Sequence, residues 1–332
     1  MVNVHQRITK EVNRRYVLMG MKRPVGVPMQ VYRRQQQEMN RDISSLKSLK
    51  NNGIVYDLKF KKFPNAFNPS VINFGEKYIC AFRSQEFKCT ACILDKNFIV
   101  DETSFFTFNL DPCVDSRLLW ALNGDLLAFY ASPVPDMYKE HIRASVIMKK
   151  DSGKFSNNEH FRVSPQNDPR HKNWCPFISN GKMYITDTVK PHKVYEVEFG
   201  KAVANPIISN WTSKWYKPLL EKRGSTNAVN LGNGMCLGTF HTIDGKYYDN
   251  GLYLFEDKPP FKVLQCSSQP FLKAEDSTPC TRWQYTICAF PMSMIKKGEN
   301  IIISYGENDN ACKIFKIALS DMLDILQPVN DI

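Results

Sequence analysis

The sequence predicts an all-β fold, a five-bladed β-propeller with a basic helical N-terminal extension, and three observations carry that prediction. After residue 52, short runs of Val, Ile, Tyr, Phe and Cys alternate with clusters of Gly, Asn, Asp and Pro, the texture of strands joined by tight turns. A unit of apolar strand, Gly-containing turn, apolar-aromatic strand and third strand recurs five times. Its turn glycines fall at Gly75, Gly124, Gly181, Gly232 or Gly234, and Gly298, about 50 to 65 residues apart, which is the period of four-stranded blades. No helical pattern of useful length follows the arm until DMLDIL near the end.

The arm, residues 1–52, comes first. Residues 1–50 hold eleven Lys/Arg and three Asp/Glu, a net of +8, against +3 for the rest of the chain and +11 overall. The high pI therefore belongs to the arm. Its basic residues are interleaved with Val, Leu, Met and Tyr rather than massed. That favours helices packed on the domain or on a second subunit, giving a homo-oligomer through the arm, over a tail that grips nucleic acid or an anionic membrane. No helix-turn-helix, zinc-finger or RNP pattern points to nucleic acid. The arm reads as two helical pieces broken near Pro24 and Pro28, the second running from Gln30 to Leu49 and stopping at Asn51-Asn52-Gly53.

The propeller, residues 53–332, begins with IVYDLKFKKF, a candidate outer strand closing the ring on the last blade. The five units follow: NPSVINFGEKYICAFRS with TACILDKN; VDSRLLWALNGDLLAFYAS with IRASVIMKK; NWCPFISNGKMYITDTV with HKVYEVEF; TNAVNLGNGMCLGTFHT with GLYLFED; and FPMSMIKKGENIIISYGEND with CKIFKIAL. One such unit cannot bury both of its faces, so the copies stack around an axis. A β-sandwich would account for the strands but not for five repeats of one unit.

Several classes are disfavoured. No run approaches the ~18 apolar residues of a membrane span, and the N-terminus has no apolar secretory core, so a soluble, cytoplasmic protein is expected. The ten cysteines are sparse for a disulfide scaffold. Cys80, Cys236 and Cys288 sit in apolar runs and read as buried small hydrophobes. Cys89 and Cys92 form a CxxC with no second pair at zinc-ribbon spacing, so neither a metal nor another cofactor is expected.

Residues at equivalent points of each blade converge on the central channel. The unit starts carry Asn68-Pro69-Ser70, Asp115-Ser116-Arg117, Lys172-Asn173-Trp174, Thr226-Asn227 and Pro291-Met292. The second-strand ends carry Arg83-Ser84, His241-Thr242 and Glu307-Asn308-Asp309. Polar groups so placed suit a ligand with many hydroxyls. Trp120, Trp174 and Tyr305 could stack on a sugar, although packing between blades is the more usual role of such rings.

The order NPS…FRS, VDSR, HKNWCPF with PHKVYEVE, FHT and YGEND resembles glycoside hydrolase family 130, over roughly residues 54–325. That family comprises five-bladed propellers acting on β-mannosides, mainly inverting phosphorylases, with β-mannosyltransferases as close relatives. The resemblance implies a carbohydrate substrate, with inorganic phosphate or an activated sugar donor as co-substrate. Its Glu-Asp-Pro-Arg motif falls on Val114-Asp115-Ser116-Arg117, which implies Asp115 as general acid. Asn68, Arg83, Asn173 and Asp309 would bind the sugar, and Arg117, Lys172 and His241 would hold phosphate. Glu and Pro of the motif are replaced by Val114 and Ser116. Asn167-Asp168-Pro169-Arg170 copies the Asp-Pro-Arg letters more fully but does not begin a blade, so Asp115 is preferred to Asp168. Glu86 and Glu307 are the nearby candidates for a second carboxylate. The alternative to an enzyme is a catalytically silent glycan-binding or scaffolding propeller.

Overall fold

The computed structural model describes residues 49–330, apart from 86–87, 109–112, 135–138, 157–159, 164–172, 213–214, 216–219, 245–246, 274–287 and positions 200, 202 and 204. Except for a 3₁₀ turn at Leu49–Asn52, the predicted arm lies outside the described residues. Strand β1 (Ile54–Leu58) follows at once. Four meanders come next: β2 (Phe67–Phe74), β3 (Lys77–Gln85), β4 (Lys88–Leu94) and β5 (Phe106–Thr107); β6 (Val114–Trp120), β7 (Leu126–Val134), β8 (Lys139–Met148) and β9 (His160–Arg162); β10 (Cys175–Ser179), β11 (Lys182–Thr188), β12 (His192–Val197) and β13 (Ile207–Ser209); then a split first strand, β14 (Arg223–Gly224) and β15 (Val229–Gly232), with β16 (Met235–Asp244), β17 (Tyr247–Glu256) and β18 (Val263–Ser267). The last comprises β19 (Ala289–Lys297), β20 (Asn300–Glu307) and β21 (Ala311–Ala318), followed by helix α1 (Leu319–Leu323) and β22 (Leu326–Pro328).

Antiparallel pairing runs in chain order within each meander. The expected closing strand is present: β1 pairs with β21 as the outer strand of the last meander, Ile54 opposite Lys316 and Leu58 opposite Cys312. One departure from separate sheets occurs where β14 bonds both β11 and β16, which joins the third and fourth meanders, with β22 paired to β18, into a ten-stranded sheet. The turn chemistry explains the hairpins. Asn180-Gly181 and Asn233-Gly234 each supply two residues of positive φ, as a type I′ turn requires.

The apolar runs are nearly continuous because both faces of each meander are buried. Along β3, Tyr78, Cys80 and Phe82 pack with Ile302 and Ile314 of the last meander, while Ile79 and Ala81 pack with Leu118 and Ala128 of the second. The same period of two recurs in β7, whose Leu127 and Phe129 meet Ile185 and Tyr195 of the third. Phe177 and Tyr184 then join Phe240 and Phe255. Leu252 and Leu254 join Ile301 and Phe315. Each meander thus packs on the next, and the last packs on the first.

Polar ties connect the innermost strands across these seams. Ser293 Oγ accepts from the Val71 amide at 2.7 Å, and Ser304 Oγ donates to the Pro69 carbonyl at 2.5 Å. Ser70 Oγ accepts from the Leu118 amide at 3.0 Å, and the Asn227 side chain bonds both main-chain groups of Met294 at 2.9 Å. Serine and asparagine at unit starts therefore satisfy backbone groups that the tapering sheets leave unpaired.

Candidate active site

The first strands of the first two meanders begin in the same unusual way. Asn68 and Asp115 are each the second residue of their strand, with φ of 52° and 53°, and each lies at a register shift, Phe67/Ser70 and Val114/Arg117. A bulge whose extra residue is left-handed re-aims its side chain. Asn68 Nδ2 donates to Asp115 Oδ1 at 2.8 Å in a buried contact. Arg83, near the end of β3, reaches the same oxygen at 3.5 Å and lies 4.5 Å from the centre of the Phe67 ring. The Asp115 carboxylate is thus held by two residues of the preceding meander.

Asn68 can reach this far because Gly306 gives way to it. A Cβ at Gly306 would lie 2.0 Å from Asn68 Oδ1 and 2.9 Å from its amide nitrogen. Beyond Gly306, Asn308 and Asp309 form a tight turn with φ of 53° and 50°, closed by the Asn310 amide on the Glu307 carbonyl at 3.0 Å. Paired left-handed residues make a type I′ turn, which suits Asn and Asp.

A second set of groups arrives from the third and fourth meanders. Arg117 donates through Nε to the Ser225 carbonyl at 2.6 Å and through Nη1 to the main-chain carbonyl of Asp115 at 3.3 Å. Ser225 Oγ lies 2.9 Å from His241 Nδ1, and Asn173 Nδ2 lies 3.4 Å from His241 Nε2. His241 is fully buried, stacked on Tyr248 at 5.4 Å and edge-on to Phe290 at 5.2 Å. Asn68 Oδ1 and Asn173 Oδ1 are buried acceptors without a hydrogen-bond partner among the described residues. These are the atoms a hydroxyl donor would meet.

Of the predicted site residues, Asn68, Arg83, Asp115, Arg117, Asn173 and His241 are linked through hydrogen bonds that run by way of Ser225. Asp309 lies in the turn that follows Glu307. Burial pushes the Tyr248 phenol up, with Cys288, Asp309 and Asp115 adding to the shift and Arg223 opposing it. Lys172, Asp168 and Glu86 lie outside the described residues. Glu307 is fully buried and ion-paired to Lys313 at 2.6 Å. The three aromatics have packing roles: Trp120 donates to the Asn73 carbonyl at 2.8 Å, Trp174 stacks on Tyr195 at 5.3 Å, and Tyr305 lies in the core. Cys89 and Cys92, three apart on one strand, belong to different core clusters on opposite faces.

Sequence reasoning missed Ser225, Tyr248 and Lys222. Tyr248 had a usable signal, because it follows His241 in one hairpin and lands opposite Ile243. Lys222 is a buried ammonium with no hydrogen-bond partner among the described residues, held down to about 8 by burial and by neighbouring Lys190. It lies over Phe240, whose side chain packs in the core shared with the third meander.

No family model and no curated protein matches the sequence. Solved structures do match. A β-1,2-mannobiose phosphorylase from Listeria innocua is 12% identical with a TM-score of 0.56, covering 85% of this chain and 95% of its own. A GDP-Man-dependent mannosyltransferase from Leishmania mexicana gives 12%, 0.56, 85% and 94% for the same quantities. A glycoside hydrolase of family GH130 that targets β-1,2-mannosidic linkages is 12% identical with a TM-score of 0.53, covering 82% of this chain and 90% of its own. This chain therefore shares the fold of GH130 β-mannoside phosphorylases and of a mannosyltransferase related to them in structure.

Proposed function

We propose that the five meanders are the blades of a five-bladed propeller and that the cluster around Asp115 is the sugar site of a carbohydrate-active enzyme. It would transfer a mannosyl or similar hexosyl group between phosphate, or an activated donor, and a sugar acceptor. The observation that carries this reading is the buried Asp115 carboxylate, aimed by a strained bulge and held by Asn68 and Arg83 from the neighbouring blade. Glycosyl transfer passes through an oxocarbenium-like transition state in which an acid protonates the leaving oxygen. Asp115 is assigned that role, and Asn68, Asn173 and Asp309 bind hydroxyls around it. A phosphorylase needs no second carboxylate, since phosphate is already an anionic nucleophile that must only be positioned. The engagement of Glu307 with Lys313 agrees with that economy. Arg117, with Lys172 and His241, is assigned to the phosphate side.

The test is phosphate release from mannose 1-phosphate with mannose, and mannose 1-phosphate formation from β-mannobiose with phosphate, in wild type and Asp115→Asn. The expected result is turnover in wild type that is lost in the variant while sugar binding persists. Undiminished turnover by Asp115→Asn would remove Asp115 from the mechanism. Silence of wild type in both directions would be followed by GDP-mannose as donor. A glycan-binding propeller without catalysis is the second reading, favoured by the loss of Glu and Pro around Asp115. Saccharide binding with no turnover on any of these donors would establish it.

A further inference from the structure

The seam between the third and fourth meanders holds a buried cation that the site around Asp115 does not use. Lys222 is 1% exposed, and its ammonium has no hydrogen-bond partner among the described residues. An ionised group taken out of water without a counter-charge is costly, and native folds pair such groups or supply them with an ion. The surroundings of Lys222 do little to offset that cost. Its ammonium lies 5.9 Å from the centre of the Phe240 ring, at the limit of cation–π range. Lys190, half-buried in the turn between β11 and β12, brings a second positive charge close by and has no ion pair among the described residues.

Two ladders fix the place. Arg223 lies opposite Thr188 of β11 on one side and His241 of β16 on the other, and Gly224 lies opposite Phe240. Continued by one residue, these registers set Lys222 between Val189 and Thr242. The Val189 amide donates to the Lys222 carbonyl at 3.3 Å. Opposed residues share a face, with Cβ atoms about 4.5–5.5 Å apart, so Lys222 and Thr242 lie side by side on the face that also carries Phe240. The Thr242 hydroxyl is sealed from solvent and is likewise without a hydrogen-bond partner among the described residues. Asp249, next along the rung beyond Thr242, makes no ion pair with Lys222. Neighbours on a strand alternate in direction, so Arg223 and His241 belong to the other face, and the rung of Lys222 is separate from the bonds that run through Ser225.

We propose that Lys222, Lys190 and Thr242 form a binding site for a phosphate-class oxyanion at the seam between the third and fourth meanders. Each ammonium supplies charge and three N–H donors, and the hydroxyl supplies one more donor. Ammonium groups are compact and impose no plane on their partner, which suits a tetrahedral ion. The bound ion would also supply the counter-charge that Lys222 lacks. Its source is the free inorganic ion or the phosphoryl group of a small ester. The site goes beyond the transfer reaction above and does not require Asp115 to be catalytic.

The experiment titrates the full chain with sodium sulfate, whose charge is constant between pH 6 and 9, against sodium chloride at equal ionic strength. Heat and melting temperature are read for wild type, Lys222→Met, Thr242→Val and Arg117→Lys. Sulfate should bind and stabilise wild type and Arg117→Lys alike, and binding should weaken roughly tenfold or more in Lys222→Met, with a smaller loss in Thr242→Val. Without added oxyanion, Lys222→Met should melt no lower than wild type, because it removes an unpaired buried charge. Wild-type affinity should be full below pH 8 and decline above it, since burial and then the charge of Lys190, with Cys266 opposing, hold Lys222 down to about 8. That decline should be absent in Lys222→Met. Repeating the titration with phosphate and with mannose 1-phosphate separates the sources: tighter binding of the ester, again lost in Lys222→Met, assigns the site to a phosphorylated sugar, and equal or weaker binding assigns it to the free ion. Sulfate affinity unchanged in Lys222→Met overturns the proposal, as does binding lost in Arg117→Lys but kept in Lys222→Met, which places the ion beside Asp115. A wild type indifferent to sulfate and phosphate, with a lower-melting Lys222→Met, means that a group of this chain already satisfies the lysine, and overturns it too. Loss of turnover in Asp115→Asn bears only on the transfer reaction, so the two readings fail separately.

Discussion

Gly306→Ala tests whether the Asp115 carboxylate is aimed by Asn68, because it acts on Asn68 without touching Asp115. The new methyl would sit 2.0 Å from Asn68 Oδ1, 2.9 Å from its amide nitrogen and 3.1 Å from its Cα. The side-chain oxygen can rotate away, but the backbone atoms can yield only by shifting β2. Overpacking of this kind costs about 1–3 kcal/mol. Rotation of the amide also breaks its 2.8 Å bond to Asp115 Oδ1, a bond to a charged group worth about 1.5–3 kcal/mol. Together these amount to ~3–5 kcal/mol, a fall in melting temperature on the order of 10 °C for a domain of this size. Turnover should drop further than stability alone explains, since a carboxylate misplaced by about 1 Å can cost on the order of 100-fold. The informative control is Gly306→Ala with Asn68→Gly. Removing the amide relieves the closest contact and should recover part of the stability but none of the activity. Calorimetric unfolding and single-turnover assays of the two variants read the two effects separately. A Gly306→Ala protein with wild-type melting and wild-type turnover would refute the claim that this glycine exists to admit Asn68.

Other consequences follow from single contacts. Arg117→Lys keeps the charge but cannot span both the Ser225 and Asp115 carbonyls; a loss of about 1.5–3 kcal/mol in urea unfolding is expected, with weaker phosphate binding, and unchanged stability would show the two bonds to be idle. Ser293→Ala strips the acceptor from the Val71 amide at the seam between the last and first meanders; denaturant unfolding should show a cost of about 1–3 kcal/mol for the orphaned donor, whereas a neutral effect would mean that water replaces it. His192 is buried, donates to the Phe261 carbonyl at 2.8 Å, and burial holds its ring down to about 4 from 6.5. The unfolded chain binds the proton first, so the stabilising contribution is complete above pH 6.5 and declines as pH falls toward 4. The full swing is about 3 kcal/mol; urea midpoints at pH 7 and 4.5 should show it, and His192→Phe should flatten that slope.

The parts of the fold that were legible in the sequence are those set by local chemistry. Asn-Gly pairs and lone turn glycines fix hairpins by their backbone preferences, and each strand is buried on both faces, so its apolar run is almost unbroken. Even the closing strand at Ile54–Leu58 could be foreseen, because it is the odd strand left before five repeats. The proposed site residues at unit starts and strand ends follow from the same logic, because repeats place equivalent residues at equivalent points. What the sequence concealed is the wiring. The His241–Ser225–Arg117 chain depends on β14, two residues long, crossing between two meanders, and a two-residue strand has no periodicity to read. Nothing in the letters shows that Arg117 reaches the carbonyl of Asp115 rather than its carboxylate. The likeness in fold to mannose-active enzymes at 12% identity explains why short motifs in order carried the resemblance while no family model did.

Backbone strain of one kind marks the proposed site, although Phe98, Asn180, Asn233 and Phe261 carry it elsewhere among the described residues. Left-handed φ costs a non-glycine residue roughly 1–2 kcal/mol, and where only a turn is needed glycine avoids that cost. This chain uses glycine so at Gly75 and Gly298, with φ of 60° and 59°. Asn68, Asp115, Asn308 and Asp309 occupy the same region of backbone space without that relief, and all four lie on or beside the site. Glycine would fit their backbones better, so their side chains must be the reason they persist. For Asn68 that reason is visible in its bond to Asp115. For Asp115 the visible contacts reach across to the first meander, to Asn68 at 2.8 Å and Arg83 at 3.5 Å. The strain is local, but the groups that stabilise it come from the first meander and from the seam with the last. A scaffold selected only for stability would shed such a residue, whereas one selected to present a carboxylate to a hydroxylated ligand would retain it.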